Sequence, residues 1–145
     1  MESLDLHNNC RTFRTVGPVA IGANGTKTGK VVDRSGFAGV EFVVSYGAVT
    51  TTGSVVTLVA LEGDVTGTMT SIADGDLIGT EVLAGLPALA ARTSGIGQNV
   101  SKRLGYKGLK RYVSVNAIST GVTSVGCVDV TAVLHAPLFA PTVNP

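Results

Sequence analysis

Tryptophan is absent from this chain, histidine and cysteine occur twice each, and aromatic residues make up 5% of its 145 residues. Charged residues contribute 14%, against about 25% in an ordinary soluble domain. These shortages exclude much chemistry. His7 and His135 lie near opposite ends of the chain, and no G-x-S-x-G elbow is present, since "TSGIG" has its serine in the wrong place. Neither H-x-x-C (7–10) nor C-x7-H (127–135) is a zinc spacing. "NGTKTGKV" (24–31) has Asn24 and Val31 where a phosphate loop needs Gly and Ser or Thr, so it reads as a hairpin loop. Asp64, Asp74 and Asp76 gather acids as a calcium loop would, but without the EF-hand pattern, and Asp-Gly is first a turn former. The chain is therefore read as no enzyme, with no cofactor and no metal.

Long hydrophobic runs are missing too. "LAGLPALAA" (83–91) falls far short of the ~20 residues that span a bilayer, and "MESLDLHNNC" has no signal-peptide core. A soluble protein, not exported by this route and with no membrane partner, is expected. In that setting Cys10 and Cys127 read as free thiols rather than a disulfide.

What the chain has instead is 22 valines, 17 threonines and 19 glycines. β-branched residues suit a pleated surface and glycine suits turns. Strands are expected at 11–22 (interrupted by Pro18, hence an edge or a bend), 30–33, 39–46, 54–63, 102–106, 111–119 and 124–136, with a weaker one at 76–83. Val40, Phe42, Val44 and Tyr46 fall on one face, as do Val128, Val130, Ala132 and Leu134. Segment 54–63 is apolar on nearly both faces, as a strand covered on both sides would be. Turn signals stand at Asn24-Gly25, Thr52-Gly53, Asp74-Gly75 and Thr120-Gly121. The one helix candidate is 83–92, limited by Pro87 to a turn or two. This pattern predicts an all-β fold, an antiparallel β-sandwich of the jelly-roll kind. Residues 13–135 would form the sandwich. Residues 1–12 and the Pro-rich 136–145 would be extended arms, mobile in the free protein.

Net charge is +1, but the distribution is uneven: between Arg34 and Arg92 stand six acids and no base. Five of the 11 basic residues, Lys102, Arg103, Lys107, Lys110 and Arg111, crowd into "KRLGYKGLKR". With Tyr106 and Tyr112 interleaved, that composition fits a stacking platform for nucleic acid. It fits equally a solvated hairpin, or glue for an acidic protein surface. The scarcity of aromatics and the small net charge disfavour nucleic acid. Leu138 and Phe139 are the apolar anchor candidates of the C-terminal arm.

"GYKGLKRYVSV" (105–115), preceded by "SIADGDLIGTE" (71–81) and followed by "VTAVLHAPLFAP" (130–141), resembles the tailed-phage capsid decoration (cement) protein family, in particular the jelly-roll cement proteins of short-tailed phages. The resemblance implies a structural virion protein on the outer surface of an HK97-type capsid, where it bridges neighbouring capsomers and stabilises the shell. The implied partners are the major capsid protein and further copies of the chain, as a homodimer or in contacts between copies. Two alternatives stay open: another head component such as a head–tail joint protein, and a small single-stranded nucleic-acid-binding protein.

Overall fold

The computed structural model describes residues 5–48, 52–87, 99–122 and 126–143. Ten strands are described: β1 (Cys10–Ile21), β2 (Gly25–Lys27), β3 (Val32–Asp33), β4 (Phe37–Tyr46), β5 (Val55–Val65), β6 (Thr68–Ser71), β7 (Leu77–Ile78), β8 (Val100–Tyr106), β9 (Tyr112–Thr120) and β10 (Gly126–Pro137). Helix is limited, among these residues, to one 3-10 turn at Asp74–Asp76 and α1 (Glu81–Ala84). One sheet has the order β1-β10-β4-β8-β7 and the other β2-β9-β5-β6, with β3 also pairing β9. The named pairs are antiparallel. From β4 onward the long strands alternate between the sheets, β4 in the first, β5 in the second, β8 in the first, β9 in the second and β10 in the first. That is the winding of a jelly roll.

The alternation of the sequence sets the core. Val40, Phe42, Val44 and Tyr46 of β4 are buried, as are Val128, Val130, Ala132 and Leu134 of β10. They meet Val56, Leu58 and Ala60 of β5 and Val113, Val115 and Ala117 of β9 from the facing sheet. Fully burying each larger side chain is worth about 1.5–3 kcal/mol. Gly17 and Pro18 fall at a register shift between Val16 and Val19 in edge strand β1, where a missing N–H costs least.

Several expectations need correction. The strands around residues 107–110 do not form a hairpin: β8 belongs to one sheet and β9 to the other, so 107–111 is a corner between sheets. β5 is not apolar on two covered faces. Its residues alternate between buried and partly exposed, and the edge of its first half is closed by reciprocal Val56–Leu86 backbone bonds and by the Glu81 carboxylate accepting from the Ala60 amide. The short helix starts at Glu81, two residues before the expected 83–92, because Thr80 caps it by accepting from the Leu83 amide. Residues 88–92 lie outside the described residues. The expected strand at 76–83 shrinks to β7, and the loop 24–31 contains β2.

The two ends of the sandwich follow from register. Cys10 faces His135, Phe37 faces Pro137, Val40 faces Tyr106 and Gly63 faces Tyr112. These rows define the Tyr106 end, where the corner 107–111, the turn 34–37 and the C-terminal segment 138–143 come together.

Candidate functional site

Tyr106 closes β8 with its ring fully buried. Its hydroxyl donates to Glu62 Oε2 at 2.5 Å and accepts from the Lys110 amide at 3.0 Å. Burial, then the bond to Glu62, push the phenol up to about 12. Gly108 makes room for it, since a Cβ there would lie 2.4 Å from the phenolic oxygen. Arg34, 9% exposed, sits over the Tyr106 ring with its guanidinium carbon 5.3 Å from the centroid. Its Nε donates to Lys110 O at 2.5 Å, Nη2 to Gly108 O at 2.7 Å, and Nη1 to Ala38 O at 3.1 Å and Phe37 O at 3.3 Å. A planar fork of donors can hold diverging carbonyls this way; an ammonium cannot. The corner is thus fastened from inside by a residue the sequence reading passed over, because a single Arg in "VVDRSG" looks like an ordinary turn.

The five predicted basic residues divide. Lys110 pairs with Asp64 at 2.5 Å, which raises the lysine's pKa. Arg111 forms a two-pronged bond to Asp33 at 3.0 and 2.7 Å and lies over Tyr112, 5.1 Å from its centroid. That bond holds the Asp33 carboxyl below its usual range. Lys107 is exposed at the same end and makes no ion pair among the described residues. Lys102 and Arg103 sit elsewhere, within the β8 ladder opposite Val44 and Val43. Lys102 is half-buried and donates to Gly85 O at 2.5 Å, and Arg103 approaches Glu41 at 3.9 Å. Asp64 and Glu62, two of the six acids between Arg34 and Arg92, serve the basic corner of their own chain.

Leu138 and Phe139 come to the Tyr106 end as well. The Leu138 amide donates to Gly36 O at 2.8 Å, and both side chains point outward, 71% and 88% exposed. Thr142 ties this segment back to the N-terminal turn, its amide donating to Asn8 O at 2.9 Å and its hydroxyl to Cys10 O at 2.7 Å. Leu109, 94% exposed at the tip of the corner, and Val65, the last residue of β5, add to the apolar surface. Both escaped the sequence reading. Leu109 could have been found as the apolar residue inside "KGLK".

The motif residues that carried the family resemblance build the fold. Leu77 enters the core, Gly79 takes φ +87, Thr80 caps α1 and Glu81 satisfies the edge of β5. No group of three potential metal ligands gathers among the described residues. Cys10 and Cys127 are both free and stand at opposite ends of the β1–β10 ladder. Cys10 faces His135 in register across that ladder. An open groove of about 300 Å³ over Ser45, Ser101, Cys127 and Asp129 contains no histidine. No described helix is long and apolar enough to cross a membrane.

No family model matches the chain, and no curated protein matches it in sequence. Solved structures do match in shape. The PBSX exported protein XepA superposes with a TM-score of 0.54 at 14% identity, over 92% of this chain and 40% of that one. A pentameric capsid protein isolated from metagenomic phage sequences gives 0.38 at 14% identity, over 99% and 83%. The CBM22 and GH10 modules of Clostridium thermocellum endo-1,4-beta-D-xylanase 10B give 0.46 at 14%, over 86% and 25%. The chain therefore spans less than half the length of XepA. The likeness to XepA shows a shared fold, and at this identity it shows no more.

Proposed function

We propose that this chain is a structural protein of a phage particle that binds the outer surface of an HK97-type shell, bridges neighbouring capsomers and stabilises it against internal pressure. It acts by contact and carries out no reaction. The observation that carries this reading is the makeup of the Tyr106 end: Leu109, Leu138 and Phe139 stand out into solvent while Lys110 and Arg111 are already paired with acids of the same chain. A phosphate-binding surface needs cations to spend on phosphates. A protein-binding surface needs exposed apolar anchors with charges around them that set orientation. The resemblance to decoration proteins supports the same reading.

Exposed ion pairs are worth roughly 0–1 kcal/mol each, so attachment rests on buried area, about 1,600 Å² in a standard interface. Repetition over a lattice multiplies it. The test is to image particles of the phage whose genome encodes this chain and to quantify the chain in them. Many copies spread over the outer shell are expected. A single ring at the tail vertex would assign the chain to the head–tail joint, and absence from the particle would end the reading.

A further inference from the structure

β1 and β7 are the two edges of one five-stranded sheet, and they differ in charge. Subtracting the ion pairs formed within the chain leaves Arg11, Lys27 and Lys30 without a carboxylate partner on the β1 side, among the described residues. Lys30 is fastened there by its amide, which donates to Thr15 O at 2.9 Å. Beside Arg11 an open groove of about 260 Å³ is lined by Phe37, Phe139, Pro141 and Val143. The β7 side has Asp74 and Asp76, neither in an ion pair among the described residues, and Glu81 bonded to an amide. Arg103 there is paired with Glu41, which leaves two nearby counter-charges, Lys102 with its ammonium on the Gly85 carbonyl and Lys107, against three carboxylates. On this side Ile78, Val82 and Leu83 are 58%, 83% and 72% exposed.

We propose that copies of this chain join head to tail: the basic β1 edge of one copy, with Phe139, docks on the acidic β7 edge of the next, with Ile78 and Val82. The occupant is a second copy because the chain carries both halves of the match, opposite in sign and each with exposed apolar residues. Within one molecule the halves cannot meet, since four strand spacings of about 4.8 Å separate the edges. A joint between two different patches leaves one of each free on every copy, so it repeats until a ring closes or a filament grows. The charges set the direction, and the apolar residues supply most of the affinity. This inference does not depend on the shell reading.

The experiment is sedimentation velocity on the isolated full chain, with variants Phe139→Asp and Val82→Asp. Both side chains are more than four-fifths exposed, so neither change disturbs the core, and far-UV circular dichroism verifies that. The unmodified chain should grow beyond a dimer with concentration. Each variant alone should weaken association at least about tenfold, the effect of losing one anchor. Mixing the two variants should give a 1:1 dimer and nothing larger, because each supplies the edge the other lacks. The proposal is overturned if the unmodified chain stays monomeric into the near-millimolar range, if either variant associates as the unmodified chain does, or if the mixture forms no dimer.

Discussion

Arg34 reaches from the turn after β3 to the ring of Tyr106 at the end of β8. It spans the two sheets with carbonyl bonds rather than a carboxylate. Replacing it with methionine keeps bulk but leaves four carbonyls without their donor, those of Phe37, Ala38, Gly108 and Lys110. We expect a loss of about 2–4 kcal/mol, since buried groups left unpaired cost more than the bond is worth. Urea titration measures it. Arg34→Lys should recover less than half, because one ammonium cannot serve all four.

The Tyr106 phenol, raised from 10 to about 12, makes stability fall on the alkaline side. The fold favours the neutral phenol, so this contribution is complete below pH 10 and is lost as the pH climbs toward 12. Burial raises Tyr46 as well, and its hydroxyl donates to Ala84 O at 2.8 Å. Tyr106→Phe should cost about 1–2 kcal/mol at neutral pH through the lost bonds. It should also flatten the decline above pH 10. An unchanged alkaline slope in the variant would remove Tyr106 as its source.

Asp33 works in the opposite direction. Its carboxyl is held down by Arg111, so its contribution is present above its ordinary value of 3.8 and is lost as the pH falls below it. Asp33→Asn should leave stability nearly unchanged with pH below that value and lower it above. Acid titration of unfolding, variant against parent, checks the sign.

Much of the fold was legible because β4 and β10 alternate without interruption and both lie in the middle of one sheet. Alternation says which face of a strand is apolar but not which sheet the strand joins. That is why "KRLGYKGLKRYV" read as a hairpin when it is a corner. β2 and β6 were missed because they are short and polar, with few or no buried side chains. At the candidate site the outward residues Lys110, Arg111, Leu138 and Phe139 could be named in advance. Their pairing with Asp64 and Asp33 could not, because those acids lie 46 and 78 residues away.

Two glycines separate backbone from side-chain crowding. A Cβ at Gly29 would fall 2.1 Å from the carbonyl oxygen of Val115, and that strand cannot retreat. A Cβ at Gly39 would fall 2.3 Å from the exposed imidazole of His135, which can swing away. Gly29→Ala should cost about 3 kcal/mol and Gly39→Ala under about 1 kcal/mol. Equal losses in thermal or urea unfolding would refute the distinction.

Duplex DNA should not bind at physiological salt. If all five basic residues of 102–111 neutralised phosphates, affinity would fall about 500-fold between 50 and 200 mM salt. Fluorescence anisotropy on a labelled duplex over that range should instead show no saturable binding. Steep salt-dependent binding that Lys110→Ala with Arg111→Ala removes would return the nucleic-acid reading.

Leu109→Ser and Phe139→Ser should each change stability by no more than about 0.5 kcal/mol, as surface substitutions do. Combined, they should reduce co-sedimentation with shells that lack the protein. Undiminished decoration by the double variant would move the contact surface away from the Tyr106 end.

β10 lies between β1 and β4, and it is the last of the described strands in sequence order. A ribosome therefore delivers the middle of this sheet after both of its flanks. Until residues 126–137 emerge, the flanks of the sheet have no common partner, and apolar side chains of β4 wait without their neighbours. Pairing Cys10 with His135 then closes a loop that contains every strand from β2 to β9, a step that chain entropy makes slow. A ribosome stalled before β10 would expose an unfinished sheet rather than a trimmed one, and nascent chains of that length would be targets for chaperones and proteases.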